Sequence, residues 1–499
     1  MTRAALALLA IGVALAASAP ALAVDRALGA NVPKPVASGE PWTDQQIAAL
    51  AANVDVTLSG ATTLHGAHVG LYAVDARDGR VLYERNADDA FQPASSLKLL
   101  VGSAALERLG PDYRFRTTLV ANGPVKDGIL QGQLILRAGN DPFLDQADFE
   151  AAASAVAAAG IRGVMSVVID EGRDTPPGYP PGWTWDDFAY YYAPVVGALA
   201  FEENVVHLTV TPGAKGGDPP AVSAAPVAPC AIVDAASTVA AGTSDTIDVA
   251  RTPSGCIAVT GVIPLGGAPD HVDAAVSSPA AYALTALDTA LSHHGIPVAT
   301  TFAPATQPVP PQRPDAKVVW SHDSEPLSDV LADMWFPSDN LVAEMLLREL
   351  AVAVDGPPGS AVNGIAFEKT WLAGMGVDVN AITLVDGSGL SVYDRITPHD
   401  VVAILQHDWN GADRDLVLDD LPIAAVRGTL KDDFPSDSPT AGHLFAKSGS
   451  LSHVRTMAGY AVNAKHGTVI FAFDVDDWVG DPAALADVRA HVLAHFVTD

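Results

Sequence analysis

The stretch FQPASSLKLLVGSAALERLG, Phe91 to Gly110, constrains this chain more than any other. Leu97, Leu100, Val101, Ala104 and Ala105 recur at helical spacing, and Pro93 with the paired serines marks a helix start. Ser95 and Lys98 lie three apart, one above the other on a single face. A serine hydroxyl is a poor nucleophile unless a nearby base takes its proton, and a lysine in a sparingly solvated cleft can be that base. The pair predicts an acyl-transfer site with Ser95 attacking and Lys98 activating. Alone, such a pair is more often a helix cap followed by a solvated lysine, so the decision lies downstream.

The chain opens with Arg3, an apolar run Ala4 to Ala17 and the small residues Ala21-Leu22-Ala23. That reads as a secretory signal peptide, 1–23, cleaved after Ala23. A membrane anchor fits less well, because the run is shorter than the roughly 20 residues of a span. A soluble protein, periplasmic or otherwise exported, is expected. What remains is too long for one core, so two or three domains are expected. With 28 basic against 58 acidic side chains, the net charge of −30 argues against nucleic acid as a partner. Cys230 and Cys256 could pair in an oxidising compartment. No His cluster accompanies them, which disfavours a metal site, and neither metal nor cofactor is expected.

Val24 to Pro41 reads as an extended lead-in and Thr43 to Leu58 as a surface helix. HVGLYAVDA and RVLYERN around Arg77-Asp78-Gly79 predict a hairpin feeding the Ser95 helix. Strands follow between Tyr113 and Leu136, then a helix over Ala147 to Ala159 and the strand VMSVVID. The aromatic-rich segment GYPPGWTWDDFAYYYAPVVGALAFEEN suits core or a packed surface loop. A small β-rich module is expected from about Gly213 to Gly266, holding both cysteines. Helices are expected at Pro279–His293, Leu327–Trp335 and Asn340–Val352, with a proline-rich connector at Pro304–Pro314 and the strand KVVWSH before the second helix. The last third predicts helices near Gly364–Met375, Pro398–Asp408 and Asp481–Phe496, with strands around Thr456–Tyr460 and Gly467–Phe473.

Two further motifs complete the pattern. WFPSDNLVAEML puts Ser338-Asp339-Asn340 on a short loop before a helix, and AKSGSLSHVRTMAGY puts Lys447-Ser448-Gly449 ahead of a strand pair. Taken singly, Ser338 and Asn340 suit a helix cap and Lys447 a solvated edge lysine. Together, in this order, the three resemble the S-x-x-K, S-x-N and K-T-G set of serine penicillin-binding proteins and β-lactamases. About 240 residues separate Lys98 from Ser338, far more than a plain domain of that kind uses. With PGWTWDDFAYYYAP, VRGTL and LVDGSGLS, the chain resembles the D-alanyl-D-alanine carboxypeptidase/endopeptidases of the penicillin-binding protein 4 type, peptidase family S13.

The resemblance implies an α+β fold: a serine β-lactamase/transpeptidase-like catalytic domain, 24–114 plus 316–499, interrupted by two nested β-rich accessory domains. These are expected at 115–213 plus 273–315 and at 214–272. It implies that Ser95 is acylated by the penultimate D-alanine carbonyl and that Lys98 takes its proton. Ser338 and Lys447 would pass a proton to the departing amine, while Asn340 binds the substrate amide. Lys447 and the Ser448 hydroxyl would hold the terminal carboxylate. Gly449 lets the strand edge approach the ligand, and the N–H groups of Ser95 and Ser450 would form the oxyanion hole. Leu390 belongs to the implied substrate-binding set. Asp187, with Tyr192 as an aromatic wall, would meet the free ammonium of a diaminopimelate side chain, although an aspartate there suits a turn cap nearly as well. Expected partners are peptidoglycan stem peptides and cross-links, with β-lactam antibiotics as covalent inhibitors; a homodimer is left open.

The chain departs from the family twice. Lys447-Ser448-Gly449 has serine where threonine is commoner, which keeps the hydroxyl, and Val392 stands where relatives often carry arginine. Two other functions compete. A β-lactamase or esterase would use the same acylation machinery but is disfavoured by the long insertion. A silent wall-binding protein would have lost a motif hydroxyl or lysine, and none is lost.

Overall fold

In a computed structural model the described residues are 32–301, 309 and 311–499. The expected signal peptide, the start of the lead-in and most of the Pro304–Pro314 connector lie outside them. The fold is α+β, and its central element is a five-stranded antiparallel sheet. In spatial order its strands are Leu444–Leu451, Val454–Asn463, Gly467–Asp476, His68–Asp75 and Val81–Arg85. All ten residues of Gly467–Asp476 are buried, which explains why that strand reads as a continuous apolar run instead of alternating.

Helices cover both faces. On one side, Asp44–Gly60 and Pro482–Thr498 pack Leu50, Val54, Leu493 and Phe496 against Phe471 and Phe473. On the other, helices Lys98–Leu109, Asn340–Asp355 and Pro398–Asn410 enclose a core that includes Val101, Leu347, Val402 and Ile470. The Lys98 helix is buried over its first nine residues, so its apolar pattern marks an interior helix. It stops at Gly110, whose φ of +85° suits glycine, with Pro111 next.

Between this helix and Ser324 the chain builds a second body. Its sheet runs Val298–Thr301, Gly163–Asp170, Ile129–Arg137, Arg116–Asn122, Lys317–Asp323, with Val125–Lys126 hairpinned onto Ile129–Arg137. Helices Gln146–Ala158 and Pro279–His293 share its core. Strands Asp270–Ala275, Val205–Thr211 and Ala221–Ala225 form a three-stranded sheet, followed by two small sheets between Val233 and Pro264. Cys230 and Cys256 are bonded there, their Cα atoms 5.9 Å apart.

Three features differ from the sequence reading. The strand Lys317–Asp323, assigned to the catalytic part, pairs with Arg116–Asn122 in the accessory sheet. Lys447-Ser448-Gly449 lies inside an edge strand, not ahead of one. Its Leu444 and Ala446 face the core, but the polar Lys-Ser-Gly-Ser run obscures the strand pattern in the sequence. The short helix Arg414–Asp420 was not anticipated.

The aromatic segment closes the space between the two bodies. Trp183, Ala193, Val196 and Ala200 pack on Leu341 and Met345 of the Asn340 helix, with Tyr179, Phe188, Tyr192 and Leu390 around them. Deeper in the same junction, Glu349 accepts from Arg173, Tyr113 and Asn140.

Candidate active site

Ser95 sits in the 3-10 turn Ala94–Leu97, which runs into the Lys98 helix. Ala94 has φ +45°, an unfavourable conformation for a residue with a Cβ, so neighbours must hold the turn. Thr456 Oγ1 donates to Pro93 O at 2.8 Å from the adjacent strand. From the other side Gly389, at φ +77°, presses so close that a Cβ there would lie 1.8 Å from Ala94 O. The neighbouring Ser96 is buried and donates to Pro93 O at 2.6 Å, whereas Ser95 remains half-open. Of the two serines, only Ser95 presents its hydroxyl to the site.

Lys98 is fully buried, yet its Nζ donates to three acceptors: Ser95 Oγ at 2.9 Å, Asn340 Oδ1 at 2.5 Å and Ser388 O at 2.8 Å. Burying an ammonium costs several kcal/mol, and hydrogen bonds to a charged group return about 1.5–3 kcal/mol each. The balance is close. Burial lowers the Lys98 pKa to about 8, against the opposing charges of Asp386, Asp339 and Glu344. In the neutral amine, two N–H bonds can stay on Asn340 and Ser388, leaving the lone pair aimed at Ser95 Oγ. That is the geometry a general base needs. Acylation should therefore rise about tenfold per pH unit below pH 8 and level off above it, because the neutral fraction does. Rates of penicillin labelling from pH 6 to 9 check this; a flat profile would remove Lys98 as the titrating base.

Ser338, at φ +71°, stands at the bend before the Asn340 helix, and its hydroxyl has no hydrogen-bond partner among the described residues. The cap is Asp339, which accepts from Val342 N at 2.8 Å, so neither Ser338 nor Asn340 is consumed in capping. Asn340 is the first helical residue; its Nδ2 donates to Tyr192 O at 2.7 Å while its Oδ1 serves Lys98. Glu203, from the accessory body, hydrogen-bonds to Asp339; burial and the Asp339 charge hold its pKa well above the ordinary value.

Lys447 is buried, not a solvated edge lysine, and donates to Ser448 O at 2.8 Å. Burial, and then the charge of Lys98, push its pKa well below the usual range. Gly449 lies against the Ser95 turn: a Cβ would fall 2.3 Å from Thr456 Oγ1 and 2.8 Å from Ser95 N. Ser450 follows, exposed. Three separated stretches thus meet: Lys98 Nζ reaches Ser95 and Asn340, Gly449 lies against Ser95 N, the Lys98 charge acts on Lys447, and Ser338 stands two residues before Asn340.

Several supporting residues were not identified from the sequence. Glu344 is buried and accepts from the N–H groups of Gly387 and Ser388 at 2.8 and 3.0 Å, which aims the Ser388 carbonyl at Lys98. Asp386 gathers Gly389 N, Ser391 N, Ser388 Oγ and Trp183 Nε1. The available signal was a glutamate inside an apolar helical run, four residues after Asn340 and so on its face. Asp187 accepts from Tyr192 OH at 2.9 Å and Thr184 Oγ1 at 2.5 Å, and its N–H closes a turn onto Thr184 O. Tyr192 and Leu390 flank the Asn340 helix in the same apolar cluster.

Comparison with known proteins gives one answer. The model of the D-Ala-D-Ala carboxypeptidase 3 (S13) family matches residues 50–495. A D-alanyl-D-alanine carboxypeptidase of Actinomadura sp. (strain R39) is 32% identical over 487 residues, covering 94% of this chain and 88% of that one. D-alanyl-D-alanine carboxypeptidase DacB of Haemophilus influenzae is 25% identical over 425 residues, 84% of this chain and 88% of the relative. The crystal structure of penicillin binding protein 4 from Haemophilus influenzae superposes with a TM-score of 0.80 at 23% identity, covering 90% of this chain and all of that one. A motif set read from short stretches and a match spanning nearly the whole chain thus converge, and the chain belongs to the D-Ala-D-Ala carboxypeptidase 3 (S13) family.

Proposed function

We propose that this protein is an exported serine-type D-alanyl-D-alanine carboxypeptidase that works through an acyl-enzyme. The observation that carries the reading is the Lys98 amine, held by Asn340 and Ser388 with its remaining position on Ser95 Oγ. Ser95 Oγ attacks the carbonyl of the penultimate D-alanine as Lys98 takes its proton. The N–H groups of Ser95 and Ser450 receive the developing oxyanion. Ser338, whose hydroxyl is otherwise uncommitted, relays a proton with Lys447 to the departing amine. Water then releases the acyl group.

Lys447 and Ser448 hold the terminal carboxylate. Burial pushes the Lys447 pKa well below the usual range, and a carboxylate placed beside it would raise it again by direct attraction. Asn340 has one amide hydrogen left for the substrate after serving Tyr192. β-Lactams share the carbonyl and carboxylate of the substrate and would be trapped on Ser95. One relative is named a penicillin-sensitive carboxypeptidase, from Dictyostelium discoideum.

Cleavage of peptidoglycan cross-links follows if the cleft accepts the longer substrate. Purified muropeptides, monomeric and cross-linked, separate the two activities by mass spectrometry of the products. Loss of one alanine from monomers identifies the carboxypeptidase, and conversion of dimers to monomers the endopeptidase. Unchanged monomers would sink the main reading. Fast turnover of a chromogenic cephalosporin, in place of stable acylation, would favour a β-lactamase instead. For the domains, the strand pairing supports a catalytic part of about 32–114 plus 324–499, with the accessory part between.

Asp187 is proposed to meet the free amine of a stem-peptide side chain, beside Tyr192 and Leu390. Its two hydroxyl partners leave each carboxylate oxygen a further lone pair. A carboxylate in a partly dehydrated cleft rewards a cation more than one in bulk water. Asp187→Ala should cost about tenfold in kcat/KM on peptides with a free diaminopimelate amine and under about twofold in penicillin acylation. Equal losses on both would make Asp187 a turn-former only.

A further inference from the structure

VRGTL, Val426 to Leu430, is a family-like stretch to which the catalytic scheme assigns no task. In the fold it is a tight turn between the second and third motifs. Gly428, at φ +64°, lets the turn lie flat on Pro422 and Phe336, and Arg427 stacks its guanidinium 4.9 Å from the Phe336 ring centre. Thr429 N–H donates to Phe336 O at 3.1 Å, two residues before Ser338. On its other side Thr429 Oγ1 lies 3.1 Å from Ser448 Oγ, and either hydroxyl can be the donor. One half-buried residue thus touches the lead-in to Ser338 through its backbone and the Lys447-Ser448-Gly449 strand through its hydroxyl.

Building on the carboxypeptidase reading above, we propose that Thr429 is a positioning residue for the substrate's terminal carboxylate. A serine hydroxyl turns among three rotamers, whereas a threonine at the same place is held by its methyl group. The chain has serine at 448, so something else must aim that hydroxyl. Thr429 is itself β-branched and anchored through its backbone, and can donate to Ser448 Oγ. Ser448 then directs its own proton to the carboxylate beside Lys447. A carboxylate accepts several hydrogen bonds, and a lysine supplies charge without direction, so an aimed hydroxyl decides how the ligand is oriented. The serine at 448 and the hydroxyl at 429 therefore act as a pair.

The test is a double-mutant cycle on the full chain. Thr429→Val keeps the shape and removes the hydroxyl, and Thr429→Ala serves as a second variant if valine disturbs folding. Each is made alone and with Ser448→Thr, and Ser448→Thr is also made alone to close the cycle. Release of D-alanine from a D-Ala-D-Ala-terminated tripeptide and the rate of acylation by benzylpenicillin, which also carries a carboxylate, are measured alongside the melting temperature. Thr429→Val should lower kcat/KM about tenfold, with an unchanged melting temperature. Adding Ser448→Thr should restore it to within about threefold of native, because the methyl replaces the lost restraint. A loss under about twofold, or one that Ser448→Thr leaves in place, overturns the proposal. Should the native protein release no D-alanine, the substrate reading fails, and the penicillin rates still score the Thr429–Ser448 pair.

Discussion

Penicillin should no longer label the protein once Ser95 is replaced by alanine, and the fold should be unchanged. Among the described residues Ser95 Oγ makes one hydrogen bond, from Lys98 Nζ, so its removal deletes the proposed attacking atom and little else. The loss should be on the order of 10⁴-fold or more, as for other nucleophiles acting with a base. Ser96 cannot take over, because its hydroxyl is buried on Pro93 O. Lys98→Met should come close to the same loss for a different reason. It preserves the volume but leaves Ser95 without a base, and leaves Asn340 Oδ1 and Ser388 O without their donor. Melting temperature tells the variants apart. Ser95→Ala should stay within about 2 °C of native, while Lys98→Met trades relief of a buried charge against two orphaned acceptors. Labelling of Ser95→Ala at the native rate would end the assignment.

Gly389→Ala should disable the enzyme without touching any reacting group. The left-handed backbone at φ +77° already disfavours a side chain, by about 1 kcal/mol or more. The decisive term is contact: the new Cβ would lie 1.8 Å from Ala94 O and 2.5 Å from Ala94 C, next to Ser95. Backbone cannot yield as a flexible side chain does, so either the Ser95 turn or the Ser388–Gly389 loop must shift. Either shift moves a partner of Lys98, since Ser95 Oγ and Ser388 O both contact its Nζ. A misplacement of about 1 Å at such a site costs roughly 10²-fold in rate. Acylation kinetics with benzylpenicillin, on protein shown to be folded by circular dichroism, make the measurement. Near-native acylation would mean that the loop has room which the packing denies. By contrast, Gly60 and Gly374 have no atom near their built Cβ positions, and alanine there serves as a control.

Local regularities were legible because they depend on neighbours in the chain. The helices Pro279–His293 and Leu327–Trp335 have the limits that their periodicity and caps suggest, since Ser278 with Pro279, and Pro326 before Leu327, act within one turn. The hairpin around Gly79 follows from two apolar runs and a turn in the same way. Ser95 and Lys98 are three residues apart, so helical geometry alone brings them together, and their chemistry could be proposed before any fold was known.

What fits Lys98 to the proposed role of base comes from farther away. Asn340 and Ser388 lie 242 and 290 residues along the chain, and neither distance nor direction between such points is encoded locally. The same holds for the edge strand bearing Lys447, for Thr429 against Ser448, and for the strand Lys317–Asp323, which only sheet pairing assigns to the accessory body. By itself the sequence determined which residues can carry acyl-transfer chemistry and in what order they occur. Tertiary structure alone decided their burial, because stripping water from two lysines and supplying three acceptors to one of them takes several elements packed at once.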